Sequence, residues 1–276
     1  MRRGKPAKQL ERILILGYEK SGKSRLATSL PWGPYFGSRA VYVAADSGSE
    51  HLRSILTHNA PHLEVIKPEP KSPHWSQDYT DIAVHDWASE GFTTLIWDDM
   101  TEVSKILLKV YSESGVFSKN QAVKLGIPGT PGYHTSSQEG DYGAVQNTIG
   151  HLMMKLTDQP LHLVVLTKKK FIEPDAKHPD GLRGGPDIVG KQATQWLGGY
   201  FDSTFHCETT IDPKTRRGVA MVHTATKGIW PAGYRCNRPE PKLAATVALE
   251  SDPVHFWLDY LADVLDDPTV PLASSP

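Results

Sequence analysis

Residues 17 to 24 read Gly17-Tyr18-Glu19-Lys20-Ser21-Gly22-Lys23-Ser24, which is the pattern G-x-x-x-x-G-K-[ST]. In such a stretch the two glycines let the backbone turn successive N–H groups onto phosphate oxygens, at the positive end of the helix that follows. Lys23 is then placed to bridge the β- and γ-phosphates of a nucleoside triphosphate, and the Ser24 hydroxyl to ligate Mg²⁺. Tyr18, Glu19, Lys20, Ser21 and Arg25 complete the residues expected around the nucleotide, with ATP and Mg²⁺ as the expected cofactors. The metal needs a further carboxylate. Thr94-Leu95-Ile96-Trp97-Asp98 offers one, because the carboxyl end of a parallel strand faces the same crevice. Asp98 is the expected metal acid, acting through water, with Asp99 as neighbour or alternate; the plainer alternative is that both cap the next helix. Hydrolysis also requires a group that orients or deprotonates water. Asp46, at the end of the apolar run 40–45, is the candidate base and Glu50 its alternate, although an aspartate before Ser47-Gly48-Ser49 equally suits a turn.

The elements that must carry these groups follow from hydrophobic spacing. ILIL (13–16), AVYVAA (40–45), TTLIW (93–97) and LHLVVL (161–166) are short apolar runs alternating with segments of helical period, as in a parallel sheet covered by helices. Val103, Ile106, Leu107 and Val110 form one helical stripe, and Tyr142, Val145, Ile149, Leu152 and Leu156 another, with Asp141 as its expected N-cap. FDSTFHCETTI (201–211) and GVAMVHTAT (218–226) flank the turn DPKTRRG, predicting a hairpin at the sheet's edge. Asp252 and Pro253 begin a last helix carrying Val254, Trp257, Leu258, Leu261 and Leu265. The expected organisation is a mobile basic arm over 1–10, one domain over 11–266 with a Gly/Pro-rich insertion at 112–140, and a loose tail over 267–276.

Composition narrows the partners. With 30 basic and 31 acidic side chains the net charge is -1, so contact with nucleic acid must come from local basic patches. Two cysteines, Cys207 and Cys236, are too few for a disulfide framework and suit a reducing compartment. Only four apolar residues, Ile13 to Leu16, follow the basic start, too short for a signal-peptide core or a membrane span. The expected location is therefore cytoplasmic, in the host cytoplasm if the chain is phage-encoded, with no membrane partner.

The order of motifs resembles the RecA-type recombinase core, and within it the compact phage ATPases linked to single-strand annealing, over roughly residues 12–240. The resemblance implies an α/β fold: a RecA-like P-loop NTPase core with a mainly parallel sheet, flanking helices and an antiparallel edge hairpin. It implies an ATPase that acts on single-stranded DNA in recombination or annealing. Thr167, closing LHLVVL, takes the place of the family's γ-phosphate sensor. The segment 168–191 takes that of its DNA loop, with Lys168, Lys169, Lys170, Lys177, Arg183 and Lys191 along the phosphate backbone; on composition alone it reads equally as a solvated loop. Then follow a helix (192–199), an edge strand with Asp202, and Lys227, the implied finger that reaches a neighbouring subunit's nucleotide, with Arg235 and Arg238 in reserve. The chain lacks room for the long terminal additions of RecA itself, so the homo-oligomer implied is a ring as readily as a short filament.

Other features do not extend this reading. His206, Cys207 and Cys236 lack the spacing of a zinc site, and strand alternation explains Phe205 and Cys207. His58, His62, His74 and His178 pair with no nucleophile, and Lys124, Tyr133 and His134 suit a loop tip as well as a DNA contact. Two alternatives stay open: a P-loop nucleotide or small-molecule kinase, disfavoured because 168–191 contains only one arginine, and a nucleotide-gated scaffold or helicase loader.

Overall fold

A computed structural model of the chain describes residues 10–30, 35–45, 62–68, 75–114, 124–125, 134–135, 139–172, 183–237, 240–249 and 253–265. Its centre is an eight-stranded sheet. The strands are β1 (Arg12–Gly17), β2 (Ala40–Ala44), β3 (Leu63–Ile66), β4 (Thr94–Asp98), β7 (His162–Thr167), β10 (Ser203–Ile211), β11 (Gly218–His223) and β12 (Thr246–Leu249), in the spatial order β12-β11-β10-β1-β7-β4-β2-β3. From β10 to β3 all neighbours are parallel, whereas β11 runs antiparallel to both β10 and β12. The helices are α1 (Lys23–Thr28), α2 (Trp75–Val84), α3 (Met100–Ser114), α4 (Glu139–Asp158), α5 (Lys191–Trp196), continued by a 3₁₀ turn over Leu197–Tyr200, and α6 (Val254–Leu265). Two small pairs lie outside the sheet, β5 (Lys124–Leu125) with β6 (His134–Thr135) and β8 (Lys169–Ile172) with β9 (Arg183–Pro186). This is the α/β architecture expected, a mainly parallel sheet flanked by helices, with antiparallel strands at one side.

The inner strands are apolar on both faces because both faces are covered. Leu14, Leu16, Val41, Val43, Leu95, Trp97, Leu163 and Val165 pack with α2, α3, α4 and α5. Ile13, Ile15, Tyr42, Ile96, Val164, Leu166, Phe205 and Cys207 pack with α1 and α6. Cys207 therefore belongs to the core, as strand alternation suggests.

Three details differ from the expectations. The hairpin β10–β11 is not the edge, since β12 adds beyond it; TVAL is too short to register as a strand by periodicity. Likewise β10 lies between β1 and β11, so Asp202, which precedes it, is not on an edge strand. Asp141 does not cap α4, which begins two residues earlier; it is buried with its Oδ2 near the Ser112 hydroxyl at 3.5 Å, and Tyr142 faces solvent instead of the core. The expected cap Asp252 lies outside the described residues. Among the described residues no helix is long and apolar enough to cross a membrane.

The α1–α6 layer is fastened by Trp257. Its ring is fully buried, its Nε1 donates to the Leu26 carbonyl at 2.9 Å and the Ser29 hydroxyl at 3.2 Å, and it packs edge-on to Phe36, Phe205, Phe256 and Tyr260. Replacing it removes a large core volume and orphans the end of α1. Trp257→Ala should lower unfolding stability by about 3–5 kcal/mol, read as a reduced urea midpoint; a loss below about 1 kcal/mol would show that α6 does not secure the phosphate-loop helix.

Candidate functional site

β1 emerges between β10 and β7 and delivers Gly17 to the carboxyl edge of the sheet. A Cβ at Gly17 would lie 2.3 Å from the Ser21 hydroxyl and 2.7 Å from the Cys207 carbonyl, so the loop passes under β10 only as glycine. The chain then turns through two left-handed residues, Lys20 (φ 59°) and Gly22 (φ 94°), before α1 begins at Lys23. The Lys20 carbonyl accepts a hydrogen bond from the Thr209 hydroxyl of β10 at 3.2 Å, which props the crest of the loop. Tyr18, Glu19, Lys20 and Arg25 are exposed, and Ser21 is buried.

Lys23 and Ser24 open α1, directly after the left-handed Gly22. The Lys23 ammonium is buried and donates to the carbonyls of Gly17 at 2.9 Å and Tyr18 at 2.7 Å. Burial pulls its pKa below the usual lysine range, against the attraction of Asp98 and Asp99. The Ser24 hydroxyl donates to Asp98 Oδ2 at 2.6 Å, and the Tyr42 hydroxyl donates to the same oxygen. Burial, then the neighbouring carboxylate, keeps the Tyr42 phenol protonated and therefore a donor. A serine hydroxyl and a carboxylate, two hard oxygens in contact, suit a Mg²⁺ that takes few protein ligands and completes its shell with water and phosphate. Asp99 separates from Asp98 in role: its Oδ1 accepts the Glu102 N–H at 2.7 Å at the start of α3, and burial pushes its carboxyl up to about 7. One acid thus faces the loop while the other caps the helix.

Thr167 closes β7 with its hydroxyl buried and without a hydrogen-bond partner among the described atoms. An orphaned buried hydroxyl beside a phosphate loop is a polar group awaiting a partner. Asp46 and Glu50 lie outside the described residues, as do Lys177 and Arg238, and so do the side chains of Arg183 and Lys191.

The three lysines after Thr167 are all engaged within the chain. Lys168 bridges Glu19 of the loop at 2.7 Å and Glu102 of α3 at 2.9 Å. Burial acts to lower its pKa, but the hydrogen bonds to Glu102 and Glu19 outweigh it and hold the ammonium above the usual range. Lys169 is buried between the rings of Tyr18 and Trp230, 4.3 Å from each centroid, and touches His206 Nε2 at 2.7 Å. Lys170 contacts Asp187 at 3.5 Å and the Ile188 carbonyl. Lys227 pairs with Glu208 and lies 3.3 Å from His223 Nε2, while Arg235 is exposed.

Two features were not visible in the sequence. A cavity of about 720 Å³ opens beside the loop, walled by Lys20 to Arg25 on one side and by Thr209, Thr215, Arg217 and Ala220 of the β10–β11 hairpin on the other. The hairpin carried no motif to mark it as part of the site. Tyr42, inside a wholly apolar run, carried no signal either; only the β2–β4 pairing brings it to Asp98.

A family model described as an AAA domain matches residues 10–230. Comparison with curated proteins finds no match. Among solved structures, a KaiC-like protein of the hyperthermophilic archaeon Pyrococcus horikoshii OT3 aligns with a TM-score of 0.45 and 8% identity, over 88% of this chain and 87% of that one. An ATPase from the type III secretion system of pathogenic bacteria aligns with a TM-score of 0.41 and 12% identity, over 72% of this chain; the chain spans 51% of that ATPase.

The left-handed turn at Gly22 gives a direct test of the loop. An alanine there is strained at φ 94° and brings its Cβ to 3.0 Å from that of Ala220. Gly22→Ala should cost about 1–2 kcal/mol in stability and weaken binding of a fluorescent ATP analogue. Unchanged nucleotide affinity would mean that the loop conformation is not what holds phosphate.

Proposed function

The chain belongs to the AAA-domain family, and on that premise we propose that it is a Mg²⁺-dependent ATPase acting on single-stranded DNA in annealing or recombination of the phage type, as a homo-oligomer. The observation that carries the ATPase reading is the contact of Ser24 with Asp98 at 2.6 Å, with the buried Lys23 ammonium beside it. These are the groups a triphosphate and its metal require, already joined across the sheet. When bound, ATP supplies the scissile γ-phosphoryl group and Mg²⁺ neutralises its oxygens.

The chain's own residues divide the remaining work. The backbone from Tyr18 to Ser24 would cradle the phosphates, and Lys23, held by the Gly17 and Tyr18 carbonyls, would exchange them for phosphate oxygens. Ser24 and Asp98 would hold the metal, with Tyr42 fixing the orientation of the carboxylate. Thr167 offers its unpaired hydroxyl toward the γ-phosphate side, and Asp46 remains the proposed base.

The DNA reading draws on the β8–β9 hairpin. Phe171 there is 51% exposed and packs on Trp230 at 4.9 Å, an aromatic face on which a base can stack. The hairpin touches the phosphate loop through Lys168 to Glu19 and Lys169 to Tyr18, a short route by which DNA alters turnover. Because Lys168, Lys169 and Lys170 are paired within the chain, phosphate contacts from this loop require that they exchange partners or that Lys177, Arg183 and Lys191 supply them. Lys227, proposed to act across a subunit interface, must likewise leave Glu208.

Lys23→Ala should reduce ATP turnover by about 100-fold or more with little change in melting temperature. In the wild type, single-stranded DNA at low salt with Mg²⁺ should change the turnover rate, and gel filtration with ATP should show a larger species. Phosphate release in the absence of any acceptor separates an ATPase from a kinase. Turnover indifferent to DNA, with no DNA retained, would remove the DNA assignment while leaving the ATPase intact.

A further inference from the structure

The antiparallel register of β10 and β11 sets His206 directly opposite His223, with their rings stacked at 5.3 Å, and places Glu208 two residues along on the same face. One donor atom from each of these three residues lies within 4.8 Å of the others. His206 and His223 are buried, and Glu208 is partly open to solvent. The Nδ1 of His223 is engaged by the Thr246 hydroxyl of β12 at 2.9 Å, which orients the ring and leaves Nε2 facing Glu208 Oε1 at 2.8 Å. A hydrogen bond to the far nitrogen is the arrangement that presents an imidazole to a metal.

Two side-chain cations already answer this concentration of donors. Lys169 sits on His206 Nε2, clamped between Tyr18 and Trp230; Lys227 sits on Glu208 and close to His223 Nε2. They differ in how firmly they are held. Lys169 is buried between two rings, whereas the Lys227 side chain is 52% exposed and loses little by turning into water. His206 has a second buried nitrogen, Nδ1, with no partner among the described atoms. The fold therefore builds a place for a cation and fills it with two lysines, of which Lys227 is the more readily exchanged.

We propose that His206, Glu208 and His223 form a binding site for a divalent transition-metal ion of the zinc type, which competes with the Lys227 ammonium for Glu208 and His223 and with Lys169 for His206 Nε2. Two imidazoles and a carboxylate favour such an ion over Mg²⁺, which prefers oxygen alone, and three protein ligands leave a coordination position on the side where Lys227 now lies. Metal and phosphate loop are separate sites: Asp98 faces the α1 layer, while His206 and Glu208 project from the opposite face of the sheet. Nothing in this inference depends on the ATPase or DNA readings.

The probe is Co²⁺ followed by its visible absorption, with Zn²⁺ competing for a chromophoric chelator, on the full chain without nucleotide. The wild type should take up one Co²⁺ with ligand-field bands, and Zn²⁺ should displace it. Glu208→Gln keeps the shape of the side chain and should weaken binding about 10-fold or more, and His223→Ala about 100-fold. Lys227→Ala should tighten it roughly threefold, the scale of one half-exposed ion pair, and Asp98→Asn should leave it unchanged. Because His223→Ala opens a buried cavity, its folding is checked by circular dichroism, and Glu208→Gln decides the matter if that variant is unfolded. Absence of saturable Co²⁺ uptake by both wild type and Lys227→Ala overturns the proposal, as does binding that survives Glu208→Gln undiminished.

Discussion

The hydrogen bond from Ser24 to Asp98 ties together two segments that the chain keeps far apart, and the functional end of the molecule is organised around it. It forms because β1 and β4, separated only by β7, both point their carboxyl ends to the same edge of a parallel sheet. A hydroxyl at the first turn of α1 then meets an acid at the tip of β4, and Tyr42 from β2 closes on the same oxygen. The geometry calls for each neighbour in turn: a glycine at 17 to clear β10, a left-handed turn at Gly22 to start the helix, and α6 packed over α1 to keep it seated. Two hydroxyls on the half-buried Asp98 carboxylate, with the buried Lys23 ammonium attracted to it, hold that charge in place.

On the opposite face of the sheet, charges are matched in a different way. Lys168 joins the loop to α3 through two carboxylates, and Lys169 lies between aromatic faces on a histidine. Burial, with Lys169 beside it, pushes the His206 imidazole down to about 4, so at neutral pH it is an acceptor. Burial works against ionisation of Glu208, but the hydrogen bonds from Lys227 and His223 prevail and bring it down to about 2. The result is a chain of contacts from Tyr18, in the phosphate loop, through Lys169 and His206 to His223, Glu208 and Lys227. A movement of Tyr18 therefore has a packed route to the half-exposed end of that chain.

Several of these features were legible before the fold was known. The phosphate loop, the acid after TTLIW and the polar end of LHLVVL were readable because each is a local pattern: a glycine pair that demands a turn, and an apolar run that stops at a polar residue. The division of labour between Asp98 and Asp99 was not readable, since adjacent acids at a strand end are alike in sequence and differ only in which way the strand turns them. Nor was the state of Lys168, Lys169 and Lys170. A run of three lysines reads as a solvated or nucleic-acid-facing loop, yet each finds a partner supplied by an element more than a dozen residues away.

The sequence by itself determined the class of fold, the phosphate loop and the strands that carry its partners, because hydrophobic period and glycine placement act over a few residues and need no knowledge of the rest. Only the tertiary structure decided which charged groups meet. His206 and Cys207 look like neighbours in sequence, but the pleat sends Cys207 into the core and His206 to the other face, where strand register supplies His223 and Glu208 as its company. Register and strand order are set by the packing of whole faces against helices, a long-range constraint that no short stretch of residues contains.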